Sequence, residues 1–265
     1  MSDFEFRFGG IARLYGTAAL ARLRTAHVLI VGIGGVGSWV AEALARSGVG
    51  TLTLVDLDEV CVSNVNRQVP ALDGQIGRTK VEVMAERIQA IAPEATVHRR
   101  TEFYTESSAE RLLPATGPHP QVVIDAIDAV ANKVRLIAHC HRLGVPVLIC
   151  GGAGGRRDPT QVRISDLSVV THDRLSSEVR KRLRKEHGFP RGDRKFHLEC
   201  VWSPESPVFP QKDGTVCAAG SADKAPGESG RLNCDSGFGS AAFVTGAFGF
   251  AAAARTVDLI TAAPR

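Results

Sequence analysis

Between His27 and Gln68 lie two groups of residues whose types and spacing suit the handling of phosphate. The first is the turn Gly32-Ile33-Gly34-Gly35-Val36-Gly37, directly after the apolar run His27–Val31. Glycines at 32, 34, 35 and 37 remove side chains where backbone must approach an anion, and a helix amino terminus following such a turn attracts negative charge. Asp56 follows Gly32 by 24 positions, at the end of the apolar run Thr51–Val55, where an acid bonds ribose hydroxyls. Up to this point NAD and ATP fit equally well. The second group separates them: Asp58, Asn64, Asn66, Arg67 and Gln68 form a polar loop, and Lys80 opens the next helical stretch. A hydride-transfer enzyme needs only the ribose acid there. Arg67 and Lys80 suit a clamp on a triphosphate whose α-phosphate is attacked, stabilising charge that develops in the displacement. Asp128, just past a fourth apolar run, sits at a strand's carboxyl end and with waters and phosphate oxygens suits magnesium. Taken singly, Arg67 and Lys80 read as surface ion pairs and Asp128 as a helix cap; as a set around one crevice they read as an ATP site.

These residues need a scaffold that brings several loops to one edge. Val28–Val31, Thr51–Val55, Thr96–Arg100, Val122–Ala126 and Val145–Cys150 read as strands. Ser38–Arg46, Lys80–Ile91 and Lys133–Arg142 read as helices between them, the second with Val81, Met84, Ile88 and Ile91 on one stripe and Pro93 as its stop. Regular alternation of strand and helix predicts an α/β, doubly wound, Rossmann-like and mainly parallel sheet with helices on both faces. The ligand crevice is then expected at the carboxyl ends of the strands.

After Gly155 the rhythm breaks. Gln161–Ser165 and a segment near Phe196–Ser203 suggest short strands, Ser176–Glu186 a helix, and residues 188–230 loops rich in Gly, Pro, Asp and Ser. The stretch Arg174–Lys195 carries nine Lys or Arg against three acids, a local net of +6, whereas the whole chain is only +4. A basic segment on a mildly acidic body predicts contact with a polyanion, nucleic acid first. From Gly237 to Ala254 there are 18 residues without a charge. A membrane anchor is one reading of that length, but four glycines and many alanines favour a buried helix packed through small residues. Met1–Arg7 contains no signal-peptide core, which predicts a cytoplasmic protein. The six cysteines form no C-x-x-C pair, which predicts reduced thiols rather than a four-cysteine zinc site.

The segments from Gly32 to Asp128 resemble the ubiquitin-activating-enzyme-like adenylating superfamily that includes ThiF and MoeB. The resemblance implies that Asp56 holds the ribose, that Asn64, Arg67, Gln68 and Lys80 contact the phosphates, and that Asp128 positions magnesium. It also implies a homodimer in which an arginine near the amino terminus reaches the partner's site; Arg13 is the best match, with Arg7 the alternative. ThiF and MoeB usually carry paired C-x-x-C motifs, absent here, which weakens an assignment to activation of a ubiquitin-like sulfur carrier. The stretches Arg7-Phe8-Gly9-Gly10, Gly151-Gly152-Ala153-Gly154-Gly155, Asp158-Pro159-Thr160-Gln161, Asp213-Gly214-Thr215-Val216-Cys217 and Cys234-Asp235-Ser236-Gly237-Phe238-Gly239 are similar to a narrower group, the tRNA threonylcarbamoyladenosine dehydratases.

Membership of that group implies adenylation of the threonyl carboxylate of N6-threonylcarbamoyladenosine in tRNA, followed by ring closure with loss of water. On this reading residues 1–155 are the ATP-binding adenylation core. Residues 156–265 are a basic insertion, a substrate-facing loop region and the small-residue helix, packed on the same domain. Arg180, Lys181, Arg182, Arg184 and Lys185 are expected to contact tRNA phosphates. A monovalent cation (Na+ or K+) is a candidate for ordering the glycine-rich back half. Cys234 is a candidate thiol, and a cysteine desulfurase or other sulfur-handling protein a candidate partner. The competing classes are an activator of a sulfur-carrier protein and an NAD-binding oxidoreductase.

Overall fold

The apolar runs of the first 150 residues are short, rich in Val, Ile and Leu, and separated by helices, so they can pair only in parallel through crossovers. The computed structural model describes residues 2–211, 213–218 and 238–262. Strands β1 (His27–Val31), β2 (Thr51–Val55), β3 (Thr96–Arg100), β4 (Val122–Asp125), β5 (Val147–Cys150), β6 (Arg163–Asp166) and β7 (Glu199–Trp202) form one sheet. Its order is β3-β2-β1-β4-β5-β7-β6, parallel throughout except for β6, which runs antiparallel to β7 at the edge. Growth of the sheet reverses direction between β1 and β4, so the turns after these two strands diverge and leave a crevice at their carboxyl ends.

Helices follow the strands as α3 (Gly37–Arg46), α4 (Lys80–Ile91), α5 (Glu106–Leu112), α6 (Val130–Leu143), α7 (Arg174–Glu186) and α8 (Ala242–Thr261). Alternate strand residues serve opposite layers. Val28 and Ile30 of β1 pack with Val40 and Leu44 of α3, Met84 of α4 and Phe248 of α8. Leu29 and Val31 pack with Leu136 of α6 and Val179 and Leu183 of α7. A sheet apolar on both faces must be covered on both, and the two clusters do so.

Helix α8 explains the uncharged run near the carboxyl end, of which Gly237 lies outside the described residues. It is long and apolar enough to cross a membrane. In this fold Val244, Phe248, Ala252, Ala253 and Val257 are buried in the core. The crossover between β4 and β5 lies on the opposite face, so α8 supplies the cover beside α3 that no crossover provides. Gly249 permits the close approach: a Cβ there would stand 2.5 Å from the Trp39 Cβ and 3.0 Å from the Val36 carbonyl oxygen.

Several boundaries and elements differ from the sequence expectation. β5 starts at Val147, because Pro146 has no N–H to donate and serves the sheet only through its carbonyl, which accepts from Val123 N at 2.8 Å. The segments near Gln161 and Phe196 become β6 and β7, so the region after Gly155 extends the first sheet. Two amino-terminal helices, α1 (Asp3–Tyr15) and α2 (Thr17–Thr25), were not anticipated. A Ser2–Glu5 capping box starts α1, and its Phe4 and Phe8 are buried against Leu20 and Ala92. Two acidic motifs of the back half are turn chemistry. Asp158 accepts from Thr160 N at 2.9 Å, and Asp213 accepts from Thr215 N at 2.9 Å in the hairpin of β8 (Val208–Pro210) and β9 (Val216–Ala218).

Candidate active site

Gly32 turns out of β1 with φ +93°, and a Cβ there would meet the Ala126 carbonyl oxygen at 2.7 Å. The first glycine is therefore required both by backbone conformation and by contact with the turn after β4. Gly37 lets α3 close over the turn, since a Cβ there would lie 1.8 Å from the Gly32 carbonyl oxygen. Gly35 meets Thr245 of α8 and the Arg67 side chain, at 3.2 and 3.6 Å from its would-be Cβ. Gly34 has only Gln68 near it, at 4.0 Å, and so leaves a gap in the wall.

Asp56 ends β2 and is buried. Its Oδ2 accepts from Ile33 N at 2.6 Å and its Oδ1 from Asp58 N at 2.8 Å, so it ties the glycine turn to the following loop. Burial pushes its carboxyl above the usual carboxylate range, opposed by the Lys80 charge and by the two amides. Each oxygen keeps a second lone-pair direction for a hydroxyl donor. Lys80, buried at the start of α4, forms an ion pair with Asp58 at 2.8 Å, while Asp58 is half open to solvent.

A short 3-10 turn, Val62–Asn64, shapes the polar loop. Asn64 is buried; its Oδ1 accepts from Cys61 N at 3.2 Å and its carbonyl from Arg67 N and Gln68 N at 3.0 and 2.9 Å. The Arg67 carbonyl is gripped by Trp39 Nε1 at 3.0 Å and by Thr245 Oγ1 at 3.3 Å, from α3 and α8. The Arg67 guanidinium donates locally, to Ser63 O at 2.7 Å and Asn66 Oδ1 at 3.0 Å. Gln68 is buried beside the glycine turn with its Oε1 unpartnered. An orphaned buried carbonyl oxygen is costly and is expected to find a donor when a ligand enters.

Asp128 is exposed on the turn between β4 and α6. That turn rests on a pair which sequence reading missed. Lys133, fully buried, stands 3.0 Å from Asp125 Oδ2 and donates to the carbonyls of Asp125 and Ile127 at 3.2 and 3.1 Å. Asp125 Oδ1 in turn accepts from Ile127 N at 3.2 Å. Burial pushes the Asp125 carboxyl up and the Lys133 charge opposes it. The signal was present in the sequence: an acid closing an apolar strand, with a lysine eight residues on, at the start of a helix.

The Gly151–Gly155 loop after β5 is also held by a side chain. Arg156 is buried and donates to the carbonyls of Gly152, Gly154, His172 and Ser203. These carbonyls converge on the Arg156 guanidinium, which ties the loop to the segments carrying His172 and Ser203. Asp173 accepts from Gly152 N at 3.0 Å and caps α7 through Leu175 N at 3.0 Å.

The remaining candidates fall into separate places. Helix α1 docks by Phe4 and Phe8 against Gly48, where α3 ends and before β2 begins. That is the amino-terminal end of the strands, about 17 Å of strand from the glycine turn. Arg13 on α1 is exposed. Of the cysteines, Cys140, Cys150 and Cys200 are buried thiols; burial pushes the first two up to about 12 and the third up as well, so they stay protonated and inert. Cys234, with the thiol role and sulfur-handling partner suggested for it, lies outside the described residues. Among the described residues no group of three or more His, Cys, Asp or Glu is arranged to hold a metal. On the basic helix, Arg180 donates to Leu167 O, Arg182 pairs with Glu186 at 2.8 Å, and Arg184 donates to Pro190 O and Gly192 O. Lys181 and Lys185 are exposed.

The chain is similar to known proteins over nearly its whole length. The model of the ThiF family matches residues 10–265. The tRNA threonylcarbamoyladenosine dehydratase of Haemophilus influenzae is 46% identical over 260 residues, covering 97% of this chain and 94% of the relative. The crystal structure of the E. coli tRNA N6-threonylcarbamoyladenosine dehydratase in complex with ATP superposes with a TM-score of 0.84 at 42% identity, covering 98% of this chain and 96% of that one. The molybdopterin-synthase adenylyltransferase of H. influenzae matches less of the chain, 60%, at 33% identity.

Proposed function

The chain belongs to the ThiF family and, within it, to the tRNA threonylcarbamoyladenosine dehydratases, and on that premise we propose that it uses ATP to cyclise N6-threonylcarbamoyladenosine in tRNA with net loss of water. The observation that carries the reading is the meeting, at one crevice, of the glycine turn, the buried acid Asp56 and the two cations Arg67 and Lys80. A dinucleotide site requires the first two and has no use for the cations.

A carboxylate resists attack because its leaving group would be oxide. Its oxygen attacks the α-phosphorus of ATP, pyrophosphate departs, and the acyl carbon now carries AMP as leaving group. The carbamoyl group of the same side chain then attacks that carbon and gives up its proton to water, AMP leaves with the carboxylate oxygen, and the ring closes. Intramolecular attack has a high effective concentration, so the protein's task is to fold the side chain into place. The open wall at Gly34, the orphaned Gln68 oxygen and the free lone pairs of Asp56 suit a nucleotide with hydroxyl and phosphate groups. Lys80, held by the half-exposed Asp58, can exchange that partner for a phosphate at little cost, because Asp58 then returns to water. Magnesium also fits: Asp128 offers an exposed carboxylate on the turn after β4, and this ion keeps waters and takes phosphate oxygens rather than an all-protein cage. Bound there, magnesium would neutralise charge on the phosphates.

The reading includes a homodimer acting in the cytoplasm. The docking of α1 at the amino ends of the strands supports it, since the helix that carries the exposed Arg13 is anchored at the end of the sheet away from its own crevice. Mixing Arg13→Ala with Lys80→Ala protein should restore activity above that of either variant alone, because mixed dimers regain one intact site. Strictly additive residual activities would exclude a role in trans. The function itself is tested by mass spectrometry of nucleosides from threonylcarbamoyladenosine-bearing tRNA after incubation with protein and ATP. The expected product is lighter by one water; unaltered nucleoside with the intact protein would overturn the assignment.

A further inference from the structure

Helix α7 carries most of the basic segment, but its cations do not all face one way. Arg180, Lys181, Arg184 and Lys185 recur at helical spacing, and with Arg191 from the following loop they line a cleft of about 440 Å³. Its remaining lining, Ser177 and Gly192, is neutral. Arg182 is not part of it and is paired in bidentate fashion with Glu186. We propose that this cleft seats a backbone phosphate of the tRNA substrate, with Arg191 as a member and Arg182 excluded; the inference rests on the reading of the chain as a tRNA-modifying enzyme.

Two of the guanidiniums are preorganised. Arg184 is fixed by Pro190 O at 3.0 Å and Gly192 O at 3.2 Å and lies over the Phe196 ring at 5.2 Å. Arg180 is fixed by Leu167 O at 3.3 Å. Holding them so leaves other N–H groups to face the cleft, with less side-chain entropy to lose on binding. Burial, and after it the neighbouring Arg184, holds the Arg180 guanidinium below its ordinary range. Like charges gathered in a cleft with no acid in its lining repel each other until an anion enters. Lys185 and Lys181, the latter loosely paired with Glu178 at 3.8 Å, are exposed, and a long lysine stem can turn its ammonium to a phosphate arriving from outside.

Position decides which phosphate. Asp173, the cap of α7, bonds Gly152 N of the loop after β5, beside the crevice. From there Arg180 to Lys185 lie about 10 to 18 Å along the helix at its ordinary rise. The cleft therefore takes a phosphate several nucleotides from the modified base. Such a contact stabilises substrate and transition state equally, so it sets KM and leaves kcat alone.

The test uses the full chain with tRNA bearing the modification. In Lys181→Glu/Lys185→Glu/Arg191→Glu, tRNA affinity by fluorescence anisotropy should fall at least about tenfold, and the salt slope should drop by about 1, as for one lost phosphate contact. KM for tRNA should rise in step, with kcat and KM for ATP within about twofold of the parent. Arg182→Glu should cost far less than Arg191→Glu. If charge reversal disturbs folding by circular dichroism, Lys181→Gln/Lys185→Gln/Arg191→Gln is used, with a loss of about threefold or more expected. Unchanged affinity at every salt concentration, or equal losses for Arg182→Glu and Arg191→Glu, overturns the cleft. If the parent protein fails to dehydrate the tRNA, the functional reading falls instead, and anisotropy still decides the cleft.

Discussion

Lys80→Ala and Arg67→Ala should each lower ATP–pyrophosphate exchange by about 10² to 10³ at saturating ATP, with the fold intact. Removing one donor aimed at developing charge has an effect of that order, about 2.7–4 kcal/mol. The geometry separates this from loss of structure. Lys80 contributes its side chain to a pair with Asp58, which is half exposed, so deletion leaves that carboxylate in water, while the buried Asp56 loses an opposing charge but keeps its two amide donors, Ile33 N and Asp58 N. Arg67 is held in place by its backbone carbonyl, through Trp39 and Thr245, and those bonds survive truncation of the side chain. Arg67→Lys should recover only part of the loss, since an ammonium offers one point of charge where the guanidinium offers a fork. A thermal midpoint close to that of the parent, with exchange reduced a hundredfold, is the expected pair of measurements. Exchange within threefold of the parent in both alanine variants would remove these residues from the phosphate site.

The second large effect is expected at Lys133. Both it and Asp125 are fully buried, so Lys133→Met leaves a carboxylate without its partner inside the core. Breaking such a pair from one side typically costs about 3–5 kcal/mol. The pH dependence has a definite sign. Burial already holds the Asp125 carboxyl above its ordinary range, and Lys133 is the main force opposing it. Without the lysine the folded pKa rises further above the unfolded value near 3.9, so the folded state binds more protons than the unfolded one above about pH 4. Stability of the variant is fullest where the carboxyl is protonated in both states and falls as pH rises through the gap. Denaturant midpoints that decline from pH 5 to pH 8 more steeply than the parent's are the expected result. Asp125→Asn/Lys133→Met, which removes both charges, should regain a large part of the stability. A flat pH profile in Lys133→Met would show that Asp125 is not left charged and alone.

The turn carrying Asp128 is built on this pair, which the alternation of strands and helices does not make evident. Gly32, Asp56 and Asp128 stand out because each follows an apolar run at an offset that places it on a strand's carboxyl-end turn, and Arg67 and Lys80 because they lie on the polar loop after β2 and at the start of the helix that follows it. That offset is a local property: a five-residue strand delivers its next residue to the same edge whatever lies elsewhere. The parallel pairing of β1 to β5 was legible for the same reason, since strands joined by helices pair through crossovers. Lys133 was passed over because a lysine on a helix looks solvated until α6 is laid on the sheet. The pairing of β7 with β5 was equally hidden, because it joins residues some fifty positions apart.

By itself, then, the chain determined which residue types gather at the crevice: short-range steric and charge rules tie glycine turns, an acid and two cations to the edge where the strands end. Tertiary structure alone decided how the charges are distributed among neighbours. It brought Arg191 beside Arg184, filled a group of carbonyls with Arg156, and set Trp39 and Thr245 on the carbonyl of Arg67. Each of these depends on residues distant in sequence meeting at a few ångströms, or on which side of a helix faces the core. No local offset encodes that, because burial and pairing are properties of the packed layers rather than of any one segment.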